Sequence, residues 1–429
     1  MKFFLVLFTI LLGLLALSHG EHIPQLKGMK HLTIPSASLE QRSFLQSFND
    51  NPNIDFLRFT RAEHDPIDVL VTASELPNFK RALNSRSIDY EVNIEDVAKA
   101  VAKEKYTNDM RRRLSPLSRS AGRRQLRGFS YYPRFAEIES YLKELTRLYN
   151  KTTQLIEIGK SYEGRPIYVV KISSGGKNKP AIFIDAGIHA REWIAPSTAL
   201  YALHQLVNNK TNSKLYANVD WYILPSLNPD GYEFTHASYR FWRKTRSPNP
   251  NSKCVGTDAN RNFDLKWMTI GASSNPCADT YAGSKAFSEV ETQAVRNFML
   301  ANNNTIKVYL TLHSYGQYLL HPWGWTSALP DTEPLLRKVG IMAAEALYQI
   351  YGTEYVVGSS TNVLYAAAGG SDDWALGVAG VDLSYTIELP GGRFDPPASR
   401  IVPVGIETFE AFKVFQQYVE ETYPPQNFF

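Results

Sequence analysis

The stretch Ala-Ile-Phe-Ile-Asp-Ala-Gly-Ile-His-Ala-Arg-Glu-Trp (residues 181–193) joins a short apolar run to a polar turn. Residues 181–185 predict a buried strand, because a short apolar run that ends at a turn signal such as Gly187 is typical of strands covered on both faces. Further strands are predicted at residues 221–224, 308–312 and 384–388. Helical patterns lie between them at residues 195–207, 288–300 and 332–351. This alternation predicts an α/β fold with a mixed, largely parallel central sheet and helices on both faces.

Potential metal ligands follow two of these predicted strands. His189 and Glu192 stand three residues apart just after the first strand, and His313 follows the strand at residues 308–312. Chemistry in such sheets collects where parallel strands end. Two imidazoles and one carboxylate leave a fourth position for water, which is the catalytic pattern of zinc. His-x-x-Glu alone is a weak signal, and an isolated strand-end histidine is usually structural, so the hypothesis depends on the combination.

A small region with its own pattern precedes this domain. Strands are predicted at residues 54–59, 67–71 and 90–94, and helices at 74–84 and 95–105. Their mixture predicts a compact α+β module. From residue 111 to 128 the chain carries seven arginines among small residues, which predicts an exposed, protease-sensitive linker. A continuous solvated helix is the alternative, and Pro116 and Gly122 argue against it.

The first twenty residues predict a secretory signal peptide. Lys2 precedes an apolar run at residues 3–17, and Ser-His-Gly at 18–20 offers small residues for cleavage. A membrane anchor is the alternative, but the run is shorter than the roughly 20 residues that a spanning helix needs. We therefore expect a secreted, extracellular protein without a membrane span. Its predicted parts are a signal peptide (1–20), an activation propeptide (21–127) and a catalytic domain (128–429).

Composition supports a folded, secreted protein. Of 429 residues, 44% are hydrophobic and 21% charged, which provides for a sizeable core. The formal net charge of +4 is small and concentrated in the arginine linker, which argues against nucleic-acid binding. The only two cysteines, Cys254 and Cys277, are expected to form one disulfide in an oxidising compartment. Two unrelated buried thiols are the alternative.

Seven motifs, in the same order, resemble those of the pancreatic-type zinc carboxypeptidases of the A/B subfamily. They are His189-Ala-Arg-Glu-Trp, Asn228-Pro-Asp-Gly-Tyr, Phe241-Trp-Arg-Lys-Thr-Arg, Asp258-Ala-Asn-Arg-Asn, His313-Ser-Tyr, Gly369-Gly-Ser-Asp-Asp-Trp and Ile387-Glu-Leu. The resemblance runs from about Phe129 to the C-terminus and is procarboxypeptidase B-like. Residues 50–110 resemble the family's activation segment, which implies a ferredoxin-like prodomain.

The resemblance implies roles for individual residues. His189, Glu192 and His313 would bind one Zn²⁺, and Asp258 would hold the outer nitrogen of His189. Glu388 would be the general base. The alternatives are a turn-forming Asp258 and a structural Glu388.

Further residues would recognise a peptide with a free C-terminus. Asn260 and Arg261 match the carboxylate-binding pair, and Arg243 matches the arginine that stabilises the oxyanion. The remaining substrate-contact candidates are Arg191, Ser314, Tyr315 and Tyr365. Two or three members of the basic run Arg240, Arg243, Lys244 and Arg246 are expected to be solvated.

Substrate preference would depend on Asp372, which stands where the basic-specific branch of the family carries an aspartate. A carboxylate at the end of a narrow pocket is costly until a Lys or Arg side chain arrives. The alternative is that Asp372 pairs with an internal arginine, while Asp373 is expected to be structural. Gly324 and Ser360 would leave room for a long side chain. The segment between Trp374 and Glu388 is one residue longer than the family pattern.

We therefore expect a secreted zymogen of a metallocarboxypeptidase that releases C-terminal Lys or Arg. A trypsin-like protease would cut at Arg124 or Arg127, although Arg113 and Arg119 are also plausible, and the prodomain would inhibit until then. The expected oligomeric state is a monomer. One alternative is an enzyme preferring aliphatic or aromatic C-termini. Another is a catalytically silent binding homologue, against which the presence of Glu388 and Arg243 counts.

Overall fold

The computed structural model describes residues 26–115, 129–391 and 395–424. The predicted signal peptide and the cleavage candidates Arg119, Arg124 and Arg127 lie outside these ranges. The described chain forms two sheets, one of four strands and one of eight. The predicted fold class, a small α+β domain before a larger α/β domain, is confirmed.

The small domain has a ferredoxin-like arrangement. Its strands are β1 (Lys30–Ile34), β2 (Ile54–Arg58), β3 (Ile67–Val71) and β4 (Glu91–Ile94). Its helices are α1 (Leu39–Gln46), α2 (Leu76–Ser85) and α3 (Val97–Leu114). The strand order is β2-β3-β1-β4 with every neighbouring pair antiparallel. The order of elements along the chain, βαββαβ followed by α3, is the split βαβ topology.

The two faces of this sheet have different neighbours. On one face, Leu45 of α1 and Phe79 of α2 pack against strand residues such as Val69. On the other face, Leu57 and Leu70 join a cluster that includes Phe241 and Tyr315 of the larger domain, with Val97 and Val101 of α3. The second face of the small sheet is therefore buried against the larger domain.

Helix α3 is longer than the sequence predicts. It runs to Leu114, so residues 111–113 belong to its last turn and not to an exposed linker. Basic side chains at a helix C-terminus interact favourably with the helix dipole. Asn108 also exchanges two hydrogen bonds with the backbone of Tyr132, at 2.9 and 2.8 Å, and Arg112 Nε lies 2.9 Å from Glu137 Oε1. These contacts hold the end of α3 on the larger domain, so the predicted start of the linker at residue 111 is wrong.

The large sheet contains strands β5 to β12 in the order β11-β10-β12-β9-β7-β8-β6-β5. They are β5 (Thr153–Lys160), β6 (Pro166–Ile172), β7 (Ala181–Ala186), β8 (Asp220–Leu224), β9 (Ile306–Ser314), β10 (Tyr318–His321), β11 (Val356–Ser359) and β12 (Leu383–Leu389). The four central strands β12, β9, β7 and β8 are parallel. They are the four strands that the sequence predicts, and antiparallel neighbours flank them on both sides.

Helices cover both faces of this sheet. They are α4 (Phe135–Leu148), α5 (Ile194–Asn208), α6 (Pro229–Ala237), α7 (Val290–Ala301), α8 (Glu333–Tyr351), α9 (Ser360–Val363), α10 (Ser371–Trp374) and α11 (Ile401–Thr422). Alternate residues of β7 face opposite cores, because successive strand side chains point to opposite faces. Ile184 joins the core that contains Leu203 and Phe412, whereas Phe183 joins the core that contains Val295 and Trp374. None of the described helices has the length and apolar character needed to cross a membrane.

Candidate active site

The potential metal ligands lie at the carboxyl edge of β7 and β9. After β7 the chain turns at Gly187, whose φ of +71° favours glycine, and a Cβ there would lie 3.0 Å from Pro196 Cγ. His189 and Glu192 follow in the loop before α5, and His313 is the penultimate residue of β9. Neighbouring parallel strands therefore bring together residues more than a hundred positions apart.

The three side chains converge on one point. His189 Nδ1 lies 2.8 Å from Glu192 Oε1, and His313 Nδ1 lies 3.2 Å from Glu192 Oε2. The two Nδ1 atoms are 3.1 Å apart. All three residues are buried, and their candidate ligand atoms lie within 4.8 Å of one another. The Ser314 backbone N–H donates to Glu192 Oε2 at 3.2 Å and so fixes the carboxylate.

This donor set fits a zinc ion. His189 Nε2 donates to Asp258 Oδ1 at 3.1 Å, so the Nδ1 atom of His189 presents a lone pair toward Glu192 and His313. Lone pairs that face each other in a buried site repel unless a cation lies between them. Burial lowers the pKa of His313 in the metal-free chain, but the nearby carboxylates of Glu192 and Glu388 outweigh burial and raise it to about 9. The site therefore favours positive charge at the point where two nitrogens and a carboxylate meet, as zinc requires.

Asp258 connects the metal ligands with a cationic side chain. Its Oδ2 accepts hydrogen bonds from Arg243 Nε at 3.0 Å and Nη2 at 2.8 Å. Burial alone would raise the pKa of Asp258, but Arg243, Arg261 and His189 hold it well below its usual range. Asp258 thus stays ionised and orients both His189 and Arg243.

Glu388 lies beside the metal ligands on the neighbouring strand. Strand β12 runs parallel to β9, and Glu388 is directly opposite His313 in the register. Burial raises the pKa of Glu388 to about 7 in the metal-free chain, with Glu192 and Asp372 acting in the same direction and His313 and Arg243 opposing. A carboxylate with a raised pKa next to a metal site has the properties of a proton acceptor.

A cavity of about 1070 Å³ opens between the two domains at this edge. Its walls contain the three potential ligands, Glu388 and the predicted substrate contacts Arg191, Arg243, Asn260, Arg261, Ser314, Tyr315, Tyr365 and Asp372. Arg261 is fixed by bonds from Nε to the Gly271 carbonyl (2.9 Å) and from Nη1 to the Asn260 carbonyl (2.8 Å). Asn260 Oδ1 accepts from the Ser371 backbone N–H at 2.9 Å, which leaves its amide hydrogens available to a ligand.

Asp372 is a buried carboxylate in the first turn of α10. Ser360 Oγ lies 3.4 Å from its Oδ2, and a Cβ on Gly370 would lie 2.9 Å from its Oδ1. Within the described ranges, no Lys, Arg or His forms an ion pair with it. Asp373 differs, because its oxygens accept from the backbone N–H groups of Gly324 (2.8 Å) and Trp325 (3.2 Å).

The segment after α10 contains a π-helical turn at Ala375–Ala379, which ends at Gly380 with a φ of +75°. A π turn is the form that one inserted residue takes within a helix. It lies between Asp372 and β12, in the stretch that the sequence predicts to be one residue longer than the family pattern.

No member of the basic run after α6 is fully exposed, which corrects the prediction that two or three of them are solvated. Arg240 is only 1% exposed, stacks on the Trp193 ring at 3.8 Å and donates to the Arg191 carbonyl at 2.7 Å. Lys244 Nζ donates to the Pro276 carbonyl at 2.6 Å. The sequence does not show which aromatic rings and backbone carbonyls pack against these charged side chains.

Several carboxylates of the small domain contact residues of the larger domain at or near the cavity, which the sequence did not indicate. Asp55 Oδ2 accepts from Arg191 Nη1 at 2.5 Å, and Asp68 Oδ2 accepts from the Tyr315 hydroxyl at 2.7 Å. Glu104 on α3 accepts two hydrogen bonds from Arg240, at 2.8 and 3.1 Å. Two of the residues predicted to contact substrate, Arg191 and Tyr315, therefore bind the small domain.

The predicted disulfide is present between Cys254 and Cys277. Both residues line the cavity on the side of Asp279 and Lys253. The bond fixes the loop that leads to Asp258. In the chain-entropy model, closing a loop with this separation of 23 residues contributes about 3 kcal/mol to stability.

The site combines two histidines and a glutamate with a neighbouring carboxylate, at the edge of a parallel sheet. A separate small domain covers it. These features define a zinc-dependent hydrolase made with a prodomain. The chain belongs to the zinc carboxypeptidase family. Residues 138–411 match the family profile "Zinc carboxypeptidase", and residues 33–104 match "Carboxypeptidase activation peptide". The protein is therefore a metallocarboxypeptidase zymogen that uses one Zn²⁺, and the resemblance noted in the sequence is confirmed.

The similar proteins include both carboxypeptidases B and carboxypeptidases A. Carboxypeptidase B of Astacus astacus is 48% identical over 297 residues, 68% of this chain and 98% of the relative. Carboxypeptidase B of Helicoverpa zea is 37% identical over 422 residues, 95% and 97% of the two chains. The crystal structure of carboxypeptidase A from Helicoverpa armigera has a TM-score of 0.86 at 31% identity and covers 93% of this chain and 99% of that one. Similarity alone therefore leaves the preferred C-terminal residue open.

Proposed function

We propose that this metallocarboxypeptidase is secreted as an inactive monomer and that its mature form releases C-terminal Lys or Arg from peptides. The observation that carries the substrate preference is Asp372, a buried carboxylate in the cavity wall with no cationic partner among the described residues. A long cationic side chain would supply that partner, whereas an apolar side chain would leave the carboxylate both desolvated and unpaired. The apolar run at residues 3–17 and the disulfide support secretion.

Three residues would bind the metal and two would act on the reacting atoms. His189, Glu192 and His313 are the proposed ligands, and zinc supplies Lewis-acid chemistry that lowers the pKa of water and polarises a carbonyl. Glu388 accepts a proton from the attacking water and passes it to the leaving amine. Arg243, held by Asp258, donates to the oxygen on which negative charge develops.

The free α-carboxylate of the substrate would bind at Asn260 and Arg261. Arg261 is held in place by two backbone carbonyls, and the Asn260 amide is oriented by Ser371, so both donors are pre-organised. Tyr365, whose ring centre lies 5.9 Å from the Arg261 guanidinium, is placed to close over the bound residue. Recognition of a chain end in this way explains why the enzyme is an exopeptidase.

The prodomain would inhibit by occupying the outer part of the cavity. Asp55 neutralises Arg191 and Asp68 binds the hydroxyl of Tyr315, where the peptide preceding the scissile bond would lie. Cleavage by a trypsin-like protease is proposed at Arg124 or Arg127. Arg113 is a poorer site because it lies in α3, and proteases need extended backbone.

Asp55→Asn is expected to weaken inhibition in the intact zymogen. Truncating one partner of this partly buried, hydrogen-bonded charge pair should cost about 2 kcal/mol, so the open fraction should rise roughly 30-fold. The measurement is hydrolysis of a blocked dipeptide ending in Arg by uncleaved protein. Asp89→Asn, which changes an exposed prodomain carboxylate, is the matched control. Equal residual activity in both variants would remove Asp55 from the inhibitory contact.

The proposed function is tested by hydrolysis of matched blocked dipeptides ending in Arg, Lys, Phe or Leu. Each is measured before and after trypsin treatment, with and without a zinc chelator. We expect activity that requires trypsin, disappears with chelator and favours Arg or Lys by about 10²-fold or more. A preference for Phe or Leu would overturn the role of Asp372 while keeping the mechanism. No activity from processed, zinc-loaded protein would favour a silent binding homologue.

A further inference from the structure

A buried polar group lies behind His313, on the side away from the proposed metal. Tyr309, Thr311 and His313 are alternate residues of β9 and share one face of the sheet. Asp185 of β7 is directly opposite Thr311 in the parallel register. These four residues are at most 1% exposed, so the group is closed to bulk solvent.

The two proposed histidine ligands differ in what holds their outer nitrogen. His189 donates directly to Asp258. His313 Nε2, Asp185 Oδ1 and Thr311 Oγ1 lie within hydrogen-bond distance and angle of no described partner, although the Thr311 hydroxyl is a near neighbour of Asp185. The other oxygen of Asp185 accepts a hydrogen bond from the Tyr309 hydroxyl. Three unpaired polar atoms thus share one buried face, where polar atoms are normally satisfied by protein or by ordered water.

We propose that Asp185 is a positioning residue for His313, acting through a buried water that Thr311 helps to hold. The His313 Nε2–H donates to the water, which donates in turn to Asp185 Oδ1. Because Tyr309 already binds Oδ2, the carboxylate is fixed and Oδ1 is its remaining acceptor. This arrangement keeps the proton on Nε2 and leaves the Nδ1 lone pair directed at the point shared with Glu192 and His189.

The chemistry of metal-binding histidines agrees with this role. Outer partners of metal-binding histidines orient the ring and raise its strength as a ligand. His189 obtains this support directly from Asp258, and His313 obtains it from Asp185.

The inference rests on the proposed metal site, and its test measures metal binding and not turnover. Zinc affinity of the full chain is determined by competition with a chelator for wild type and Asp185→Asn. We expect the affinity to fall by about 10–100-fold. The difference in Tm between zinc-loaded and metal-free protein should shrink as well. A merely structural Asp185 would lower both Tm values equally and leave the affinity within about twofold of wild type, which would overturn the proposal.

Two further variants separate the possible outcomes. Asp220→Asn changes a comparably buried carboxylate at the opposite edge of the sheet, paired with Lys171 and Lys179, and should cost stability without changing zinc affinity. If Asp185→Asn does not fold, Thr311→Val tests the same water and should weaken zinc binding several-fold; an unchanged affinity would overturn the proposal. His313→Ala is the reference: if it binds zinc like wild type, the metal site itself is wrong and not only its support.

Discussion

Glu388→Gln is expected to lower kcat by about 10²–10⁴-fold while zinc binding and folding are retained. The amide has nearly the shape of the carboxylate, but it cannot accept a proton from water at neutral pH. Since Glu388 lies directly opposite His313 in the register of β9 and β12, it is close enough to the metal site to act on a water there. The KM should change little, because the side chain is proposed to act on the reacting atoms and not to hold the substrate.

The control for this variant is Glu291→Gln. Glu291 is a buried carboxylate of α7, where it accepts from the Tyr162 backbone N–H at 3.0 Å, away from the cavity. Both variants are processed with trypsin and measured with one dipeptide over a range of concentrations, with zinc content determined in parallel. A Glu388→Gln enzyme that keeps more than about a tenth of wild-type kcat would exclude Glu388 as the general base.

The sequence predicted the centre of the molecule better than its edges. The four parallel strands are buried on both faces, so their sequences are nearly continuous apolar runs that can be recognised as strands. Strands β5, β6, β10 and β11 were not predicted, and all four lie outside that centre. Strands β5 and β6 mix buried with partly exposed positions, and β10 and β11 are only four residues long. The strand β1 was missed for a different reason: nothing in five residues shows that they will lie between two strands from later in the chain.

In the candidate site, too, the sequence predicted some contacts and not others. His189, Glu192 and His313 stand at strand ends, so their convergence follows from the topology of a parallel sheet. The contacts of Asp55 with Arg191 and of Glu104 with Arg240 join residues 136 positions apart in both cases, across two separately folded domains. No local sequence pattern encodes such docking, because it depends on the complementarity of the surfaces of two folded domains.

Asp372→Asn is expected to remove most of the preference for basic C-terminal residues. The ratio of kcat/KM for Arg to that for Leu should fall by about 10²–10³-fold, because the substrate cation would enter a buried site without a charged partner. Asp372→Ile should go further and make Leu or Phe the better substrate, since an apolar side chain would then meet an apolar wall. A ratio of two substrates does not depend on the fraction of protein that is folded, which makes it the appropriate measurement.

Asp373→Asn is the matched control, because it changes the adjacent residue of the same helix. Asp373 accepts hydrogen bonds from the backbone of Gly324 and Trp325, and burial together with the Asp372 charge raises its pKa well above the usual range. Its substitution should therefore lower the melting temperature more than it changes selectivity. If Asp373→Asn and not Asp372→Asn abolished the preference for Arg, the neighbouring carboxylate would be the one that meets the substrate. The preference would then arise from a rearrangement of α10 on binding, since Asp373 is turned toward the protein backbone in the zymogen.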